Sequence, residues 1–252
     1  MPEKDPIMAT TRRVALLTGS ARRIGAAIAR RLHAAGCDLA IHHRASALEA
    51  TALAGELERE RPGSVLLLQA DLARFDRLPE LIAATLGRFG RLDLLVNNAS
   101  AFYPTPVGQV TPAIWDDLFA ANARAPFFLS QAAAPHLQAS AGSIVNLVDI
   151  HALRPLAGHA VYAMAKAALV AMTEALALDL APHVRVNAVA PGAILWPEQG
   201  KSEAAKAATL QAIPMSRLGS ADEVAEAVRW LALDAHYTTG QVLRVDGGRY
   251  LS

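Results

Sequence analysis

Apolar residues along this chain gather into short uninterrupted runs, and between the runs they recur with a helical period over longer stretches. The runs Val14–Leu17, Asp38–His42, Val65–Gln69, Leu92–Val96, Ser143–Val148, Val184–Val189 and Val242–Val245 predict strands. Their near-continuous apolar character is that of strands buried on both faces of a parallel sheet. Helices are predicted over Ile24–Ala35, where Gly36 is the stop signal, and over about Ser46–Arg61 and Leu78–Arg88. Further helices are expected from about Thr111 into Ala134 with a bend at Pro126, through a segment ending near Ala181, and over Asp222–Leu233. Strand and helix alternate throughout, which predicts an α/β fold, a doubly wound parallel sheet flanked by helices on both faces. Pro191 to Arg217 is the least regular stretch, with proline near both ends and a polar, alanine-rich middle, and it is expected to form a substrate lid at about 191–217. No internal boundary is visible, so residues 12–252 are expected to be one domain behind a flexible polar tail over 1–11, in which Met8 offers an alternative start.

Composition narrows the class. A chain of 252 residues that is 53% hydrophobic and 19% charged has enough apolar material for one large core and no signature of disorder. The net charge of +1 comes from dispersed basic residues, which argues against a nucleic-acid partner. Cys37 is the single cysteine, so neither an intrachain disulfide nor a thiolate metal site can form, and a reducing, cytoplasmic location is expected. No uninterrupted apolar run reaches the ~18–20 residues of a membrane helix, and the N-terminal tail lacks the apolar core of a signal. His42, His43, His151 and His159 have no spacing that suggests a metal. Small molecules are the expected partners.

Chemistry-bearing residues fall at the carboxyl ends of the predicted strands, where ligands bind in open α/β sheets. Thr18-Gly19-Ser20-Ala21-Arg22-Arg23-Ile24-Gly25 joins the first strand to the first helix, with glycine at the tight turn and again where helix meets strand. Such a loop offers backbone N–H groups to a diphosphate. Asp71-Leu72 follows the third strand, and Asn97-Asn98-Ala99-Ser100 the fourth. Tyr162 and Lys166 stand four residues apart with no helix breaker between them, so both leave one helix face. An ammonium near a phenol lowers the phenol's pKa, which suits the pair to proton transfer.

With Thr18-Gly19, Gly25, Asn97-Asn98-Ala99, Tyr162 and Lys166, Pro191-Gly192 and Val245-Asp246-Gly247-Gly248 in this order, the chain resembles the short-chain dehydrogenase/reductase family over nearly its whole length. The resemblance implies a Rossmann-type NAD(P)-dependent oxidoreductase in which Tyr162 donates the proton, Lys166 holds the nicotinamide ribose, and Asn122 supports a relay water. It also implies a cofactor site that includes Gly19, Ile24, Asp71, Leu72, Asn98, Ala99, Ser100, Tyr162, Lys166, Pro191 and Gly192, and a homotetramer.

Departures from the family pattern point further. The serine expected about thirteen residues before the tyrosine is Asp149; the middle glycine of the phosphate loop is Arg23; Ser100 follows Asn-Asn-Ala where glycine is usual, and Phe102 lies just beyond. Together these resemble the pteridine reductases. A carbonyl oxygen calls for a donor such as a serine hydroxyl, whereas a pterin is a flat ring rich in N–H groups and protonatable nitrogens, for which Asp149 is suited. The resemblance implies Phe102 stacked on the ring and Arg23 between the cofactor phosphates and the ring edge. An NAD enzyme places an acid at the end of the second strand. This chain has His43 and Arg44 there, with Ser46 nearby, which suits the 2′-phosphate of NADPH. The expected activity is NADPH-dependent reduction of a pterin or folate, with Tyr162 and Asp149 handling the proton. The alternatives are a carbonyl or 3-ketoacyl-type reductase of the same family and a catalytically idle NADPH-binding sensor.

Overall fold

The computed structural model describes residues 12–196 and 202–252; the polar tail expected over 1–11 lies outside them. Seven strands, β1 Val14–Leu17, β2 Asp38–His43, β3 Val65–Gln69, β4 Leu94–Asn97, β5 Ser143–Leu147, β6 Arg185–Pro191 and β7 Val242–Val245, form one parallel sheet in the order 3-2-1-4-5-6-7. The strand order reverses between β1 and β4, which run parallel, and this switch point opens a crevice at the carboxyl edge of the sheet. The helices are α1 Arg23–Ala34, α2 Ala47–Glu60, α3 Leu78–Phe89, α4 Pro112–Phe119, α5 Ala125–Ala139, α6 Ala160–Asp179, α7 Glu203–Gln211 and α8 Ala221–Leu233.

Alternate strand residues face opposite layers. Ala15, Leu17, Leu39, Ile41, Leu94 and Val96 pack against Ile28 and Leu32 of α1, Leu53 and Leu57 of α2, and Val224 and Val228 of α8. Leu16, Ala40, Leu95 and Ile144 pack instead against Leu81 and Ile82 of α3, Leu129, Ala133 and Leu137 of α5, and Ala177 of α6. The central strands are covered on both faces and so carry apolar side chains at most positions, which is why they were legible as continuous runs. Arg185 closes one end of this core: its guanidinium donates to the carbonyls of Leu231, Ala232 and Ala235 at 2.6, 2.7 and 3.0 Å, satisfying the free carbonyls at the end of α8.

Three elements differ from expectation. β4 begins at Leu94, because the Asp93 carboxylate turns aside to accept from Val14 N–H at 2.8 Å and to pair with Arg91. The single helix expected from Thr111 into Ala134 is α4, a π-helical segment Ala120–Arg124, and α5. Pro126 sits in the first turn of α5, where it has no backbone bond to lose; the change of pitch comes before it, and the helix continues across Pro135 to Ala139. The alanine-rich middle of the expected lid is α7, capped by the Ser202 hydroxyl accepting from Ala205 N–H at 3.2 Å, while residues 197–201 of that stretch lie outside the described residues. α6 is long and apolar enough to cross a membrane by length and composition, but 56% of its most apolar window is buried within this fold, as a core helix would be.

Candidate active site

The turn after β1 is built from backbone constraints. Gly19 has φ +61°, and a Cβ there would lie 2.8 Å from Ala99 Cα; a Cβ on Gly25 would lie 2.4 Å from Gly19 O. Both positions therefore require glycine. Thr18 Oγ1 accepts from Asn98 N–H and Ala99 N–H at 3.0 and 3.1 Å, and the Asn98 amide donates to the carbonyls of Thr18 and Gly19 at 2.9 and 2.8 Å. The Asn98 side chain thus ties the loop after β4 to the loop after β1, and its part in any cofactor site is to shape that loop. Arg23 adopts φ +52°, a left-handed conformation that is strained for a residue with a Cβ, and its guanidinium reaches Trp196 O at 3.4 Å.

A cleft of about 650 Å³ opens at this edge. It gathers Gly19, Arg23, Ile24, His43, Arg44, Ser46, Asp71, Leu72, Asn98, Ala99, Ser100 and Phe102. Pro191 and Gly192 are not on its wall; Gly192 N–H bonds to Val245 O at 3.0 Å and the residue packs against Asp246. The cleft also holds His42, whose role was not foreseen. Its Nδ1 accepts from Gly19 N–H at 3.2 Å and its Nε2 lies 3.1 Å from Ala70 O, which requires the tautomer protonated on Nε2. Burial holds this imidazole neutral, with its pKa lowered to about 4. His43 is also buried, and its Nδ1 has no hydrogen-bond partner among the described residues, an orphaned polar atom beside the cleft. Arg44 is exposed at the rim, and no acid stands at the end of β2. A glycine-lined turn, an orphaned imidazole nitrogen and an arginine together fit the phosphate groups of a dinucleotide.

Asp149, Tyr162 and Lys166 are not on the wall of the cleft but adjoin it through Phe102; there β5 leads into Asp149, which caps a short 3₁₀ turn over Ile150–Ala152. Asp149 Oδ1 accepts from His151 N–H at 2.8 Å, and Oδ2 accepts from the Tyr162 hydroxyl at 2.7 Å. Tyr162 and Lys166 do share the inner face of α6, and both are buried. Lys166 Nζ donates to Leu147 O at 2.7 Å and lies 5.9 Å from the centre of the Tyr162 ring. Among the described residues this is its one hydrogen bond, leaving two ammonium N–H groups for a bound hydroxyl.

The expected depression of the phenol by the lysine is not what the geometry produces. Burial and the Asp149 carboxylate push the Tyr162 pKa well up, because the nearest charge is negative and the ammonium is turned toward a carbonyl. Burial also brings Lys166 down to about 8, with Asp149 opposing. Asn122 differs as well: it is fully buried in the π-helical segment, its Nδ2 donates to Ala101 O and Leu118 O, both at 2.9 Å, and its Oδ1 accepts from the Ser100 hydroxyl at 2.7 Å. Its side-chain amide is fully occupied by protein partners and braces the loop after β4.

The loop carrying Phe102 is fastened on both sides. Tyr103 OH donates to Asp117 Oδ2 on α4 at 2.7 Å, and burial together with that carboxylate pushes the Tyr103 pKa up to about 12. Thr105 N–H bonds to Gly158 O at 2.6 Å, just before α6. Phe102 is half exposed, stacked on the His159 ring at 4.8 Å and 11°, and edge-on to Tyr162 at 4.8 Å and 81°. Neither Tyr103 nor His159 carried a sequence signal, since each acts through a partner distant in the chain.

Residues 19–249 match the family model described as enoyl-(acyl carrier protein) reductase. The chain is 37% identical to pteridine reductase 1 of Leishmania tarentolae over 95% of its own length and 96% of that protein's. It is 36% identical to a 3-oxoacyl-[acyl-carrier-protein] reductase of Synechocystis, covering 95% and 98% of the two chains. It is 35% identical to 3beta-hydroxysteroid dehydrogenase 1 of Eggerthella lenta, covering 94% and 93%.

Proposed function

The chain belongs to the short-chain dehydrogenase/reductase family and is an oxidoreductase that uses NAD(P)H, and within that family we propose that it is an NADPH-dependent pteridine reductase acting on a pterin or folate. The hydrogen bond of 2.7 Å between Tyr162 OH and Asp149 Oδ2 carries this assignment. A carboxylate beside the proton donor is poorly matched to the oxygen of a ketone, because two acceptors would face each other. It is matched to a heterocycle edge, whose ring N–H and amino groups donate to it.

Reduction of a C=N bond adds a hydride at carbon, the chemistry a bound nicotinamide supplies, and a proton at nitrogen, which we assign to Tyr162. Asp149 holds the ring by its N–H groups, and Phe102 covers one ring face. Backbone N–H groups of the turn from Ala21 to Ile24 hold the diphosphate, Gly19 and Ser20 having given theirs to His42, with Arg23 between phosphate and ring edge. Lys166 holds the ribose hydroxyls, and His43, Arg44 and Ser46 take the 2′-phosphate. Asp71, Leu72 and Ala99 border the adenosine, and the described residues 191–196 and 202–217 cover the substrate. A homotetrameric, cytoplasmic enzyme accords with this assignment.

The test is NADPH oxidation with dihydrobiopterin, folate, a ketone panel and acetoacetyl thioesters, repeated with NADH at equal low micromolar concentration. Pterin turnover with NADPH is expected. The similar identity to ketoacyl reductases makes turnover of thioesters and ketones, but not pterins, the result that would replace this assignment. Faster initial rates with NADH would overturn the cofactor choice.

A further inference from the structure

We infer that His159 is a positioning residue for a flat substrate: its imidazole backs the Phe102 ring from the side away from the cleft and fixes the plane against which the substrate ring lies. The inference rests on the proposal above that Phe102 covers one face of a planar ring, and its test separates the two.

Ala101 and Tyr103 pack into the small core of Leu118, Val161 and Tyr162, while Phe102 between them turns outward and remains 55% exposed. A ring so exposed on a loop has few neighbours to hold it, and without support it exchanges among rotamers. Two rings of α6 supply the support. His159 is the N-cap of α6 and Tyr162 follows three residues later, so both reach the same side of its first turn. Phe102 lies nearly parallel to the His159 imidazole, with 11° between the planes and 4.8 Å between the centres, and nearly perpendicular to the Tyr162 ring at the same separation. These are the stacked and edge-to-face geometries that aromatic pairs prefer. Phe102 is on the wall of the cleft and His159 is not, so the imidazole stands behind the ring and leaves the place of a ligand open.

The imidazole is itself anchored. Its Nδ1 lies 3.0 Å from Ala157 O, which can only accept, so that nitrogen carries the hydrogen. The backbone on either side of His159 is tied to the Phe102 loop: Gly158 O accepts from Thr105 N–H at 2.6 Å, and Thr105 Oγ1 accepts from Val161 N–H at 3.4 Å. His159 therefore moves with the first turn of α6, the same turn that carries the proton donor. Wall and phenol are set at a fixed angle to each other, and a flat ring laid on Phe102 is placed relative to Tyr162 by α6. A side chain at 159 without a flat ring leaves Phe102 free to swing, and the cost of ordering it then falls on each binding event.

The first readout is the Phe102 ring without substrate, in protein carrying 4-fluorophenylalanine at its six phenylalanines. The resonance of residue 102 is assigned by its loss in Phe102→Leu. A stacked fluorinated ring feels the ring current of its partner, so His159→Ala and His159→Leu are expected to shift this resonance toward that of an unstacked ring. His159→Tyr, which keeps a flat ring and gives up the bond to Ala157, is expected to hold it near its parent. The second readout is kinetic. His159→Ala should raise the KM for dihydrobiopterin by about three- to tenfold, the worth of one aromatic stack, with kcat and the NADPH KM within about twofold, and His159→Tyr should restore it. A Phe102 resonance unchanged in His159→Ala overturns the inference, as does an unchanged pterin KM once the resonance has moved. Equal losses in the Ala, Leu and Tyr variants also overturn it, since a merely structural role does not follow the flatness of the side chain. Failure of the wild-type protein to reduce pterins would refute the substrate assignment and leave the fluorine resonance to decide the role of His159.

Discussion

Asp149 performs two tasks with two oxygens, and a pair of substitutions separates them. Oδ1 caps the 3₁₀ turn at His151 N–H, and Oδ2 holds the Tyr162 phenol, at 2.8 and 2.7 Å. Asp149→Asn keeps an oxygen for the cap but presents an uncharged amide to the phenol; Asp149→Ala removes both. Loss of the cap costs about 1 kcal/mol, or about 2–4 °C in melting temperature for a domain of this size, so Asp149→Ala should melt that much below Asp149→Asn. Loss of the carboxylate has a separate consequence. A hydrogen bond to a charged group is worth about 1.5–3 kcal/mol, which at ~1.4 kcal/mol per pH unit lowers the pH at which the phenol ionises by about one to two pH units in both variants. Both should lose pterin reduction by about 10²- to 10⁴-fold, the range for removing a group that handles the proton, while NADPH affinity measured by fluorescence stays within about threefold. Pterin turnover near the wild-type rate in Asp149→Asn would refute the role assigned to the charge. Equal melting temperatures for the two variants would refute the cap.

Two further expectations follow from the cofactor end of the cleft. Because burial holds His42 neutral with a pKa lowered from 6.5 to about 4, the unfolded chain binds the extra proton first as pH falls. The stability it contributes is therefore complete above about pH 6.5 and lost progressively toward pH 4, by up to about 3 kcal/mol. Thermal melts at pH 7 and pH 5 should show this slope in the wild type and a shallower one in His42→Asn, and parallel slopes would contradict it. Arg44→Ser should raise the NADPH KM by about tenfold or more, with little effect on that for NADH, since one charged bond to the 2′-phosphate is lost; equal effects on both would remove Arg44 from cofactor discrimination.

Much of the layout was legible in the chain because buried parallel strands are written as continuous apolar runs, and the residues at their carboxyl ends fall together by topology alone. Asp149, Tyr162 and Lys166 were legible on the same ground: β5 and α6 are adjacent in the chain, and four-residue spacing fixes a helix face. What was not legible depends on burial and on partners far away. The direction of the Tyr162 shift reversed because spacing reveals the nearby ammonium but not that it turns to Leu147 O. His42 and His43 are chemically alike in sequence, and only the pleat decides that one binds Gly19 N–H while the other keeps a nitrogen without a partner among the described residues. The π-helical segment around Asn122 left no trace, since a single inserted backbone register changes no residue's propensity.

The two-sided fastening of the loop that bears Phe102 has a consequence for binding thermodynamics. Its moorings, Tyr103 to Asp117 and Thr105 to Gly158, join elements of the rigid scaffold and are made before any ring arrives. The conformational entropy of arranging that wall is thus lost during folding, and a planar ligand does not lose it again on entry. Affinity for flat heterocycles should therefore be sensitive to the shape of the ligand and insensitive to its ability to order the protein, so that rigid, fully aromatic rings gain most from a surface already set to receive them.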